Sequence, residues 1–254
     1  MDNPEVIILG SASGKAETDR SHAAIALRRD KDVWLLDAGE GVTSSMLRHQ
    51  IDPEQVRSIY ITHLHPDHCV GIPMLLQYLH MSGYQGTINI YLPDGALDTF
   101  QKFLDQMYLI VGVINPRYYL KPLTEAHQIV SDISLTTHPT RHLQKWEKME
   151  LIGLETRAFS FRLTIGEKGV YYSGDIHSIA DILPYLKEGD TLILESSHID
   201  PDIILSELPG KGIRQVYLTH ASTDMFADLE KLQFRANKFG LNIVVVEDGL
   251  KLAL

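Results

Sequence analysis

Tyr60-Ile61-Thr62-His63-Leu64-His65-Pro66-Asp67-His68 sets three imidazoles and a carboxylate side by side, directly after a β-branched apolar run. Alternate residues of an extended chain share a face, so His63 and His65 point the same way. Pro66 then turns the chain, and Asp67 and His68 point back from the start of the next element. One cation does not readily accept all four groups and a water. Two neighbouring cations do, provided other segments add ligands and one bridging group. The stretch therefore predicts a strand that runs into a two-metal site, and the remaining ligands have to be sought outward from it.

The flanking sequence supplies the elements such a site needs. Ile72, Leu75, Leu76 and Leu79 recur at helical spacing, with Gly83 as a stop. Val6 to Leu9 predicts a first strand, and the runs 23–27 and 33–37 flank the charged turn Arg28 to Asp32, a hairpin signature. Residues 58–62 and 87–92 read as further strands. The second half repeats the logic, with a hairpin from the runs 159–165 and 170–173 and buried-type strands over 191–195, 215–219 and 243–246. The run 226–239 carries Phe226, Leu229, Leu232 and Ala236 near one helical face. The strand ends at Asp37 and His63 echo those at Asp175 and His220. A duplicated strand-rich unit with outer helices predicts an α/β fold of two sheets between helical layers, with these four residues at one edge.

No shift in composition divides the 254 residues, so a single domain over 1–254 is expected. The 23 Lys and Arg against 33 Asp and Glu leave a formal charge of −10, which argues against long nucleic acid or an anionic membrane as partner. Cys69 is the only cysteine, which excludes an internal disulfide and a cysteine-built metal site. It reads as a small buried residue rather than a nucleophile. Met1 to Glu5 does not read as a signal peptide, and Leu109 to Ile114 is too short to span a bilayer, so a soluble, cytoplasmic protein is expected. The unusual number is twelve histidines.

His63 to His68 resembles the His-x-His-x-Asp-His signature of the metallo-β-lactamase superfamily, and Asp37-Ala38-Gly39-Glu40-Gly41 narrows the resemblance to its ribonuclease Z-like and phosphodiesterase branch. The similar stretches also include the first strand and loop, His142, Tyr172 to Asp175 and Leu218 to Ser222. The resemblance implies a four-layer αββα metallo-β-lactamase sandwich with a dinuclear site. His63, His65 and His142 would hold one metal, Asp67, His68 and His220 the other, and Asp175 would bridge them. Asp37 would support the metal loop by hydrogen bonding without ligating. Such donors suit zinc first, with manganese or iron open. His65 differs from the diiron relatives, which carry Glu at that position.

The third ligand segment offers His138 and His142. The family's spacing selects His142 and leaves His138 a structural role. Ribonuclease Z-like sequences place a His-Glu-Ala-Thr element near residue 194. Leu194 stands here at that histidine's position and His198 follows four residues later, so His198 is a candidate proton donor, weighed against a plain surface histidine. His22 and His177 fall in loops that can reach the site, with structural roles favoured. His49, His80 and His127 read as helix or surface residues.

Two such ions share a water, lower its pKa and need no serine or cysteine nucleophile. The expected activity is hydrolysis by a metal-bridging hydroxide, with Asp67 and His198 as catalytic groups and a small or cyclic phosphodiester as substrate. A transfer-RNA 3′-processing endonuclease fits less well, because only residues 143–174 separate His142 from Asp175 and they hold no Gly/Pro-rich basic arm. The runner-up class is acyl hydrolysis of a lactone, thioester or β-lactam. A non-catalytic, metal-stabilised binding protein is disfavoured by the full ligand set. Residues 97–119 are open as core, lid or dimer surface, with core packing the default, and the resemblance inclines toward a homodimer.

Overall fold

Strands β1 (Glu5–Gly10), β2 (Ala24–Arg29) and β3 (Asp32–Leu36) form an antiparallel meander in a computed structural model that describes residues 3–213, 215–221 and 229–252. The β2–β3 turn is only Asp30-Lys31, with Asp30 at φ 52°, the positive φ that a tight hairpin favours. The strands run further into the charged segment than expected, with Arg28 paired to Val33 and Arg29 to Asp32, and Arg28 Nε donates to Glu5 on β1. The chain forms two compact units. The first comprises Met1–Leu123, Met149–Glu155 and Glu247–Ala253; the second comprises Thr124–Lys148, Thr156–Val246 and Leu254.

In the first unit β3, β4 (Val56–Tyr60), β5 (Thr87–Leu92) and β6 (Arg117–Pro122) are parallel, and the described residues form a six-stranded sheet in sequence order. Parallel neighbours require crossovers. These contain α1 (Val42–Arg48), the short α2 (Pro66–Cys69) with α3 (Gly71–Met81), and α4 (Leu97–Gln106). As the spacing predicts, α3 buries Ile72, Leu75, Leu76 and Leu79, which pack with Val42 and Met46 of α1 and Phe100 and Leu104 of α4 against the sheet. Beyond α4, Leu109, Ile114 and Tyr118 enter this core while Tyr108 and Val113 are exposed, so the expected core packing holds for only part of that run. Residues 249–252 return along β1, where Ile8 N donates to Leu250 O and Leu252 N to Val6 O.

In the second unit β7 (Ala126–Val130), β8 (Ile133–Thr140), β9 (Ala158–Ile165) and β10 (Lys168–Tyr172) pair antiparallel. Strands β11 (Thr191–Glu195), β12 (Gln215–Thr219) and β13 (Asn242–Val245) then add parallel to β10. Helices α5 (Pro201–Glu207) and α6 (Leu229–Asn237) pack Ile204, Leu205, Leu232 and Ala236 with Leu192, Leu194, Val216 and Ile243. Phe226 of the predicted helix and Ser222 lie outside the described residues. Strands β8, β10, β11 and β12 all point one way, so His142, Asp175, His198 and His220 follow carboxyl ends at one sheet edge, where open α/β sheets bind ligands. In the first unit Asp37 and His63 follow β3 and β4. The internal repeat is therefore inexact, since β3 and β4 are neighbours whereas β11 separates β10 from β12. No helix among the described residues is long and apolar enough to cross a membrane.

Candidate metal centre

The first unit builds its cluster around Asp37, which sits past the end of β3 in the left-handed region at φ 59°. Its N–H donates to Tyr60 O at 2.8 Å, and its buried carboxylate accepts Thr62 N at 2.7 Å and the Thr62 hydroxyl at 2.9 Å. His68 Nδ1 lies 2.7 Å from the same carboxylate. With both residues fully buried, the proton sits on Nδ1, which leaves the Nε2 lone pair for a metal. Asp37 was expected to support the metal loop by hydrogen bonding, and its carboxylate bonds to Thr62 and His68. Leaving one of these buried donors unpaired would cost about 1–3 kcal/mol, so the network holds the loop firmly.

The loop after Asp37 lies directly against the motif. Ala38 N donates to His68 O and Gly71 N to Ala38 O. A side-chain carbon on Gly39 would come within 2.1 Å of Asp67 O, so glycine is required there. His63 Nε2 and His65 Nδ1 stand 2.9 Å apart, and His68 Nε2 is 3.7 Å from Asp67 Oδ2. The motif therefore presents two pairs of donor groups, His63 with His65 and Asp67 with His68. Cys69 is inert beside them: burial, then the charges of Asp37 and Asp67, push its thiol up to about 12.

The second unit gathers its donors from four loops. Asp175 follows Gly174, whose φ of 53° turns the chain at the strand end. One carboxylate oxygen lies 3.4 Å from His142 Nε2 and the other 3.8 Å from His220 Nε2. Asp175, His198 and His220 also each bring a donor atom within 4.8 Å of the others. Hydroxyls brace these loops: Thr140 Oγ1 donates to Asp175 O at 3.0 Å, Ser196 Oγ to Thr219 O at 2.9 Å, and Ser197 Oγ to His220 O.

His198 is held by Glu195, the buried last residue of β11. Glu195 faces His198 Nδ1 at 3.2 Å and accepts the His198 N–H at 3.0 Å. That carboxylate raises the His198 pKa above its ordinary value, against the opposing effect of burial. The ring is half exposed and lies 5.0 Å from that of His142. Sequence reasoning missed Glu195, although a carboxylate closing an apolar buried strand is itself a signal. His138 stands apart, stacked on Tyr185 at 4.1 Å and on Tyr171 at 5.7 Å, in a structural role. His22 is buried with Nδ1 2.8 Å from Ser13 O, and the His177 N–H donates to Asp181.

Residues 4–204 match the profile of the family described as "Anti-Pycsar protein Apyc1". Ribonuclease Z of Methanosarcina mazei is 24% identical, covering 97% of each chain. Among solved structures, the metallo-β-lactamase fold protein YhfI from Bacillus subtilis superposes with a TM-score of 0.77 at 19% identity over 99% of each chain. The short form of human tRNase Z superposes at 0.73 with 18% identity over 98% of each. The expected fold class is therefore present: α/β with two sheets, the metallo-β-lactamase fold.

Proposed function

Since this chain belongs to the anti-Pycsar Apyc1 family, within the ribonuclease Z-like part of the metallo-β-lactamase superfamily, we propose that it is a dinuclear metal-dependent hydrolase of small or cyclic phosphodiesters. The observation that carries this reading is Asp175, whose two carboxylate oxygens are each turned to a different imidazole, as a bridging ligand requires. The donor chemistry fits: neutral imidazoles and carboxylates, with the His68 tautomer set by Asp37. In this proposal His63, His65 and His142 hold one ion, Asp67, His68 and His220 the other, and Asp175 both, with zinc the first choice. Two divalent ions held by these residues would lower the pKa of a shared water and neutralise charge growing on phosphoryl oxygen.

The chain's own groups supply the rest. Asp67 accepts the proton of the attacking water at its carboxylate. His198, whose pKa Glu195 raises, delivers a proton from its ring to the leaving oxygen. A second reading, a ribonuclease Z-like endonuclease acting on transfer RNA, is favoured by the relatives so named. Against it, residues 143–174 are taken up by a 3₁₀ segment and the β9–β10 hairpin, with no basic arm. The alignment with the Methanosarcina protein is also longer than this chain, so that relative carries residues without a counterpart here. Zinc-loaded protein offered a bis-aryl phosphate, cyclic nucleotides, a precursor transfer RNA, a lactone and a thioester tests both readings. Turnover of small phosphodiesters is expected. Preference for the acyl substrates would overturn the proposal, and preference for the RNA would favour the second reading.

A further inference from the structure

The loops that end at His142 and pass through Asp175 meet at a residue outside the proposed ligand set. Asp181 lies in a 3₁₀ turn whose Ile179 and neighbouring Ile182 are buried in the second unit's core, and only 2% of its side chain is exposed. One carboxylate oxygen, Oδ2, accepts two backbone N–H groups: Arg141 N at 3.1 Å, on the residue before His142, and His177 N at 2.9 Å, two residues after Asp175. The other, Oδ1, accepts Arg141 Nε at 2.6 Å, and Arg141 reaches on to Ser178 Oγ at 3.1 Å. Charge-assisted bonds of this kind are the strong ones, and a single rigid oxygen shared by two loops fixes their separation.

We infer that Asp181 is a positioning residue that sets the spacing of His142 and Asp175 for metal binding. The inference rests on the metal reading above. Its cause is geometric: the His142 imidazole can stay 3.4 Å from Asp175 only while the two backbones behind them stay pinned together. Asp181→Asn keeps the shape of the side chain but must turn an amide NH₂ either toward the Arg141 guanidinium or toward the two N–H groups, and neither accepts a proton. By contrast, Arg141→Met removes the Oδ1 partner and the bond to Ser178 Oγ but keeps both backbone N–H bonds to Oδ2 that tie the two loops.

The test is metal affinity measured by chelator competition with Zn²⁺ alone, together with the visible spectrum of the Co²⁺-loaded protein. Wild type is expected to bind two ions. Asp181→Asn should bind with about 10- to 100-fold lower affinity, the range for residues that orient ligands, and with a changed Co²⁺ spectrum. Arg141→Met should stay within about 3-fold of wild type, because its backbone bonds survive. Wild-type affinity and spectrum in Asp181→Asn would overturn the inference alone; no ion bound by wild type would sink the metal reading with it. Should Asp181→Asn not fold, amide exchange in wild type decides instead. Because coupling is reciprocal, Zn²⁺ should slow exchange at Arg141 and His177 together, and unchanged rates at both would refute the role.

Discussion

The two units reach similar donor clusters by opposite routes. The first packs His63, His65, Asp67 and His68 into one short stretch and ties it to a single buried carboxylate, Asp37. The second collects His142, Asp175, His198 and His220 from four strand ends and needs separate braces at Glu195, Asp181, Thr140, Ser196 and Ser197. Chain connectivity sets the geometry of the first cluster locally. The second has no such help, so hydrogen bonds between loops must replace it. A local motif therefore concentrates its vulnerability in one residue, whereas a dispersed cluster spreads it over several.

The contrast can be broken first at Asp67. Asp67→Asn removes the proton acceptor and a proposed ligand, and kcat/KM on a bis-aryl phosphate should fall about 10²- to 10⁴-fold; a loss under tenfold would show that Asp67 is not the base. Next in size is Asp37→Asn. The amide turns an N–H toward His68, which shifts the ring proton to Nε2 and removes the lone pair meant for metal. Zn²⁺ affinity should drop about 10- to 100-fold, read by chelator competition. The second unit should respond more selectively. Glu195→Gln and His198→Gln should slow substrates with poor, alkoxide-like leaving groups about 10²-fold and leave a p-nitrophenyl ester nearly unaffected, because that leaving group needs no proton. Equal losses on both substrates would point to a structural role instead.

The smallest effect concerns acid stability. Burial acts to raise the Asp181 pKa, but bonds from the Arg141 side chain and from the N–H groups of Arg141 and His177 outweigh it and hold the group below the ordinary carboxylate value of 3.8. A depressed folded pKa contributes stability above the unfolded value, and that contribution is lost as pH falls through the folded one. The gap in thermal midpoint between metal-free wild type and Asp181→Asn should therefore be constant at neutral pH and close below about pH 4. A gap that widens in acid would contradict the assignment.

Much of the first unit was legible because its signals are local. Alternation in His63-x-His65, helical spacing from Ile72 to Leu79 and the charged hairpin turn each sit within a few residues, and the structure follows them. Strands β6 and β7 were not anticipated, since Arg117–Pro122 and Ala126–Val130 have exposed faces and gain their order from pairing with distant neighbours. Glu195 and Asp181 escaped notice for a related reason. Each is one carboxylate among 33 acidic residues, and its importance lies in which backbone N–H groups it meets.

Residue order alone pointed to the donor chemistry and to a strand leading into His63, because ligand types and their local spacing are written into a continuous chain, while the family resemblance was what put His142 ahead of His138 as candidate ligand. Folding settled which carboxylates become braces, how Asp175 divides its oxygens between two imidazoles, and that His198 leans on Glu195. Those relations join residues that lie in different loops, and they exist only once parallel strands bring their carboxyl ends to a common edge and burial makes every unpaired donor costly.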